Sequence, residues 1–183
     1  MRKHTGMRPH DVVILAKIIA LGPANWYAKD IAYSLHISNS EVSESLHRSQ
    51  YAGLIDSNKR HVFKQALLDL LIHGLKYVFP QQPGAVTIGM PTAHSAPVLA
   101  EKLVFQESYV WPDAEGTIRG QAIEPLYGSV PAACRKDQRL YNLLALIDAL
   151  RVGKVREQNL AKDLLKQLFD EYQRESFHQP ITH

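Results

Sequence analysis

The sequence predicts a mainly α fold, α+β by virtue of a small β part, and three observations carry that prediction. Residues 28–55, AKDIAYSLHISNSEVSESLHRSQYAGLI, read as a helix, a tight turn, a second helix and a glycine stop. Apolar stripes at helical spacing recur at Leu67 to Val78, Leu140 to Leu150 and Leu160 to Phe169. Between the first and second of these stripes, proline and glycine interrupt the chain so often that only short elements fit. The chain divides accordingly into residues 1–80 with the helix-turn-helix, an irregular segment over 81–130, and a C-terminal helical region over 131–183.

The first element is a helix. Pro9-His10-Asp11 introduces Val12, Val13, Leu15, Ala16, Ile18 and Ile19, and Gly22-Pro23 ends the stripe. Basic Arg2, Lys3 and Arg8 ahead of an apolar run suggest a secretory leader, but Asp11 and Lys17 interrupt the run and no small-residue cleavage site follows. No stretch approaches the roughly 18 apolar residues that a membrane span needs. A soluble protein with no membrane partner is expected. Trp26 and Tyr27 read as packing residues, and Lys29 as an exposed cation within reach of phosphate.

Spaced constraints define the helix-turn-helix. Ala32 is small where two helices must cross, Ile37 fills the turn, and Val42 and Leu46, four apart, point back into the angle between the helices. His36 stands where such motifs often carry glycine. Ser38-Asn39-Ser40 offers hydroxyl and amide oxygens for an N-cap, and Glu41 suits the positive end of the helix dipole. Ser40, Ser43, Glu44 and His47 are left facing outward. Gly53 fits a left-handed cap, and the extended pair Leu54-Ile55 should lead into a strand.

These residues resemble the winged helix-turn-helix class of bacterial transcriptional regulators, over roughly residues 10 to 80. In that class a helix of this kind runs into a phrase like Tyr51-Ala52-Gly53-Leu54-Ile55 and then a β-hairpin wing. The resemblance implies a reader helix that enters the major groove of double-stranded DNA, with Ser38, Asn39, Ser40, Ser43, Glu44, His47 and Arg48 as reader residues. It implies Lys59, Arg60 and His61 as the wing tip. Only Asp56 to His61 separates Ile55 from Val62, so the wing is short. Two later phrases, Gly89-Met90-Pro91-Thr92-Ala93-His94-Ser95-Ala96-Pro97 and Trp111 through Tyr127, are similar to a family of small bacterial helix-turn-helix proteins of uncharacterised function. Some bacterial proteins with such domains are antitoxins paired with nucleotidyltransferase-like toxins. An antitoxin with a toxin-like protein partner is therefore the alternative to a transcriptional regulator, and a protein-interaction module that keeps only the fold is the third reading.

Beyond the wing, Val62 to Phe79 forms an amphipathic helix stopped by Pro80, with His73 at its surface. In the middle segment, Val98 to Leu103 suits a short helix and Thr117 to Ile123 one edge of a hairpin that turns at Asp113 to Gly116. Phe105, Tyr109, Trp111 and Tyr127 argue for a folded segment rather than a disordered one. The polar residues available for chemistry here are His94, Ser95, Asp113, Glu115, Arg119 and Cys134. None stands in a nucleophile elbow, a metal-ligand spacing or a phosphate loop. Thr92, His94 and Ser95 read as ties of a turn, with an effector pocket near Trp111 and His94 as their other use. Neither an enzyme activity nor a cofactor is expected.

The last third is helical. Asp137 to Arg151 is apolar nearly all round and must be covered on several sides; Gly153 breaks it, and Val155 to Tyr172 resumes the stripe. The stripes at Leu68 to Leu75 and Leu160 to Phe169 exceed what the irregular middle can cover, which suggests a homodimer. Net charge is +3, unevenly placed: residues 1–64 hold nine Lys/Arg against five Asp/Glu. That asymmetry favours nucleic acid at the N-terminal end. The single Cys134 excludes an intrachain disulfide and suits a reducing cytoplasm.

Overall fold

The computed structural model describes residues 5–175. Arg2 and Lys3 of the basic end, and residues 176–183 of the C-terminal region, lie outside the described residues. The protein is mainly α with a small β part.

Helix α1 (Pro9–Leu21) starts with proline in its first turn, and the Asp11 carboxylate accepts the Arg8 N–H at 2.8 Å. Every residue from Asp11 to Ala20 is buried, so α1 is a central helix rather than a one-sided support. Helix α2 (Ala28–Leu35) ends at His36, whose φ of 53° is the left-handed conformation that glycine adopts at no cost. Helix α3 (Asn39–Tyr51) begins at Ser38, whose hydroxyl accepts from Glu41 N at 3.2 Å. It ends at Gly53, φ 76°, beyond which Leu54 N donates to Ser49 O. Ala32, Ile37, Val42 and Leu46 are all buried at the crossing of α2 and α3.

The wing is reduced to one antiparallel bridge, Ile55 to Val62. Asp56 occupies the turn, its carboxylate accepting from the N–H groups of Arg60 (2.7 Å) and His61 (3.0 Å). With six residues between the bridge partners and an Asx-type turn among them, no chain remains to extend a ladder. The small β part lies elsewhere.

The long helix expected over Val62 to Phe79 is interrupted. Helix α4 (Lys64–Asp69) passes through a π turn (Leu70–Gly74) into α5 (Leu75–Val78), with Gly74 at the weak point. Leu67, Leu68, Leu71 and Leu75 are buried within the chain.

Strands β1 (Val86–Pro91), β2 (Tyr109–Pro112) and β3 (Ile118–Ala122) form a closed three-stranded sheet. The strand expected near Thr117 is present, but not as a hairpin with its predecessor: β2 and β3 run parallel, and both pair antiparallel to β1. Met90 opposes Trp111, while Gly89 opposes both Pro112 and Ile118, so β1 hands its partner over at that glycine. A Cβ on Gly89 would stand 2.0 Å from the Trp111 carbonyl oxygen, so the closure requires glycine there. A 3₁₀ turn (Ala93–Ser95) and helix α6 (Pro97–Ala100) follow β1; α6 is shorter than the Val98 to Leu103 helix expected.

Helix α7 (Val130–Arg135) leads to α8 (Gln138–Val152), which Asp137 caps by accepting from Leu140 N at 3.0 Å. Leu140 to Leu150 is buried on all sides apart from Asn142, and α1, α5, α6, α7 and α9 (Val155–Arg174) pack around it. One hydrophobic cluster runs from Val12 through Trp111 to Tyr172. On α9, Leu165 and Phe169 are buried, and Leu160, Leu164 and Leu168 are partly buried against the same cluster. Of the stripes on which the dimer expectation rested, Leu68, Leu71, Leu75, Leu165 and Phe169 are buried by the chain itself, while Ile72, Leu160, Leu164 and Leu168 keep part of their surface. No helix among the described residues is long and apolar enough to cross a membrane.

Candidate nucleic-acid interface

Helical periodicity decides which α3 side chains meet solvent. Val42, Ser45, Leu46 and Ser49 face inward, leaving Asn39, Ser40, Ser43, Glu44 and His47 exposed along one side. Tyr51, one turn beyond His47, extends this stripe with 77% of its surface exposed. The same periodicity marks Tyr51 as part of the face, and reading only the first three turns misses it. An open cleft beside the stripe is lined by Thr5, Arg8, Glu44, His47, Arg48, Gln50 and Tyr51.

The predicted reader residues do not all serve alike. Ser38 is exposed, but its hydroxyl caps α3 and sits 3.1 Å from the Ser40 hydroxyl. Arg48 differs from the others: it is 7% exposed, and its guanidinium turns inward to Asp11 and Glu41 while the side chain borders the cleft. Its position, three after the buried Ser45 and four after the exposed Glu44, places it at the edge between the inner and outer faces, and its long side chain turns inward from there.

Wing residues are similarly divided. Lys59, in a left-handed conformation, brings its ammonium 2.9 Å from Nδ1 of His47, so the turn tip and the reader stripe meet in one place. His61 is exposed and hydrogen-bonds the Asp56 carboxylate at 3.2 Å. Arg60 is exposed but held to one side: its guanidinium stacks 5.1 Å from the Trp26 ring and donates to the Trp26 carbonyl. Lys29 lies 5.7 Å from the Tyr27 ring centroid on the neighbouring helix start. Trp26 is buried as a packing residue should be, whereas Tyr27 is 60% exposed and does not pack inward, because it precedes α2 on its outer side.

The electrostatics of the α1–α3 contact are compact. Glu41 Oε1 lies 2.6 Å from His10 Nε2 and accepts from Arg48 Nη2 at 2.7 Å. Burial alone would raise the Glu41 carboxyl, but the hydrogen bonds and charges of Arg48 and His10 outweigh it and hold the group below its ordinary value. A depressed carboxylate stabilises the fold above its ordinary value, and that contribution is lost as pH falls through the folded one. The melting temperature is accordingly expected to fall as pH drops below about 4.5, more steeply in the wild type than in Glu41→Gln. Superimposable acid limbs in a calorimetric pH series would count against this account.

In the middle segment the residues expected to tie their own turn instead bind it to distant parts of the chain, His94 and Ser95 to the backbone of 107–109 and Thr92 to a side chain of α8. Ser95 Oγ accepts from Tyr109 N at 2.8 Å, His94 Nε2 lies 2.7 Å from the Glu107 carbonyl, and Thr92 Oγ1 donates to Asp148 at 2.9 Å. Trp111 and His94 are 1% and 4% exposed, packed into the interior rather than lining an opening. Asp113 and Glu115 both pair with Arg135 at the surface. Cys134 is buried, and desolvation pushes its thiol well up, which makes it a poor nucleophile. Among the described residues no three His, Cys, Asp or Glu side chains gather as metal ligands. Comparison with family models, curated proteins and solved structures found no match.

Proposed function

We propose that the protein is a sequence-specific, non-catalytic DNA-binding regulator of the cytoplasm that reads duplex DNA with α3. The observation that carries this reading is the outward stripe Asn39, Ser40, Ser43, Glu44 and His47, with the Lys59 ammonium 2.9 Å from His47 at its side. Short polar side chains on one face of a helix in a helix-turn-helix can approach base edges, while a neighbouring cation meets phosphate. Glu44 can accept from cytosine amino groups. With Arg60 held on Trp26 and the turn closed by a single bridge, flanking contacts rest on Lys59, His61 and Lys29 rather than on a long wing. A two-fold pair would place two α3 helices about one turn of DNA apart.

Competition mobility shifts on genomic fragments test the reading. Affinity is expected to fall steeply with salt as phosphate contacts release counterions. Ser43→Ala or His47→Ala should lose about 1–3 kcal/mol of discrimination, whereas Lys59→Ala should weaken all sequences alike and reduce the salt slope by about one. Absence of binding at low salt overturns the proposal.

A further inference from the structure

We infer that Arg48 is a positioning residue, a clamp that sets the rotation and tilt of α3 against α1 and thereby the aim of the reader stripe; this rests on the reading of α3 given above. Its guanidinium forks onto Asp11, with Nε to Oδ2 at 2.9 Å and Nη2 to Oδ1 at 2.8 Å. The same Nη2 reaches Glu41 Oε1 at 2.7 Å. Glu41 stands seven residues earlier on α3, almost two full turns, so one side chain ties both ends of the inner face. Asp11 is wholly buried in the first turn of α1, where it also accepts the Arg8 N–H. The anchor is thus a point in the core that cannot drift.

The rest of this face supplies little direction. Ser45 and Ser49 are buried beside Arg48, and their hydroxyls have no hydrogen-bond partner. Small side chains of this kind let α1 and α3 approach closely but permit a helix to roll. A bidentate arginine fork is the directional contact. Roll matters because Ser43 and His47 are on the opposite side of the same helix, and a displacement on the order of 1 Å at the site is enough to spoil a constellation. The remaining charged or titratable neighbours belong to the same cluster: His10 Nε2 lies 2.6 Å from Glu41, 3.2 Å from Arg48 Nη2 and 3.8 Å from Asp11 Oδ1, and Arg8 stands 3.7 Å from Glu41 while its backbone N–H donates to Asp11.

The test compares Arg48→Met, Arg48→Lys, Glu41→Gln and Lys59→Ala in the full chain. In the free protein, amide hydrogen exchange of residues 39–44 is expected to rise about tenfold or more in Arg48→Met while α8 is unaffected. Arg48→Lys keeps the charge but not the fork and should restore protection only in part. With DNA, Arg48→Met should lower the ratio of specific to random-duplex affinity and leave the salt slope unchanged. A slope reduced by about one, as expected for Lys59→Ala, would mean that Arg48 contacts phosphate and would overturn the clamp. So would exchange that rises equally in every helix, the sign of a merely stabilising residue. If Arg48→Met does not fold, Glu41→Gln, which leaves the Asp11 fork intact, must show the same local loosening in weaker form; unchanged exchange there overturns the proposal. Should the wild type bind no DNA, the functional reading fails, and the exchange measurements still decide the clamp.

Discussion

Replacing Asp148 by alanine is expected to destabilise the protein by about 3–5 kcal/mol, the loss typical of removing one partner from a buried charged network. Asp148 is 2% exposed in the middle of the central helix α8. Its Oδ2 accepts from Trp111 Nε1 at 2.6 Å and Thr92 Oγ1 at 2.9 Å, and its Oδ1 from Arg151 Nη1 at 2.9 Å. Burial pushes the carboxyl above its ordinary value, and Arg151, Thr92 and Trp111 offset this only in part. Arg151 also donates to the carbonyls of Phe79 at 3.0 Å and Glu124 at 3.3 Å. One carboxylate therefore joins α8 to the end of α5, the 92–95 turn, β2 and the chain after β3. Alanine would strand an indole N–H, a hydroxyl and a nearly buried guanidinium together. Asp148→Asn should cost less, because its oxygen still accepts from Trp111 and Thr92 while its amide opposes Arg151. Denaturant unfolding decides the matter: an alanine variant within about 1 kcal/mol of wild type would show that the network is dispensable.

A comparable loss, again about 3–5 kcal/mol, is expected for Asp137→Ala. Lys17 and Asp137 are 3% and 4% exposed by side chain, with Nζ 2.6 Å from Oδ2. Asp137 also caps α8 through its other oxygen, a contact worth roughly 1 kcal/mol by itself. Alanine removes the cap and leaves an ammonium in the core between α1 and α8. The sign reverses when both charges go: a buried pair exchanged for apolar or neutral groups is often neutral. Lys17→Met combined with Asp137→Asn should thus be more stable than either the Asp137→Ala protein or the sum of the single changes. Additive losses in that double-mutant cycle would show that the two residues are not coupled.

These networks mark the border between what local sequence encodes and what it does not. The helix-turn-helix was legible because its signals are local. Ser38 caps, His36 takes the left-handed position, Gly53 ends the helix, and the 3.6-residue period alone separates Val42 and Leu46 from Ser43 and His47. Dihedral preferences and helix periodicity act within a few residues, so a linear reading captures them. The inward pairing of Arg48 was not legible because its partner Asp11 lies 37 positions away, and no window along α3 reveals it.

The same distinction decides the rest. The sequence by itself determined a mainly helical chain with a small β part, the stripes that must be buried, and the outward face of α3. Tertiary structure alone decided where the β part lies, since the β1–β2–β3 closure pairs Gly89 with residues 23 and 29 positions later. It also decided what covers Leu71 and Leu165: not a second copy but α8 and its neighbours. Periodicity tells which side of a helix avoids water. Which surface removes it from water depends on contacts between distant parts of the chain, and these exist only once the chain has folded.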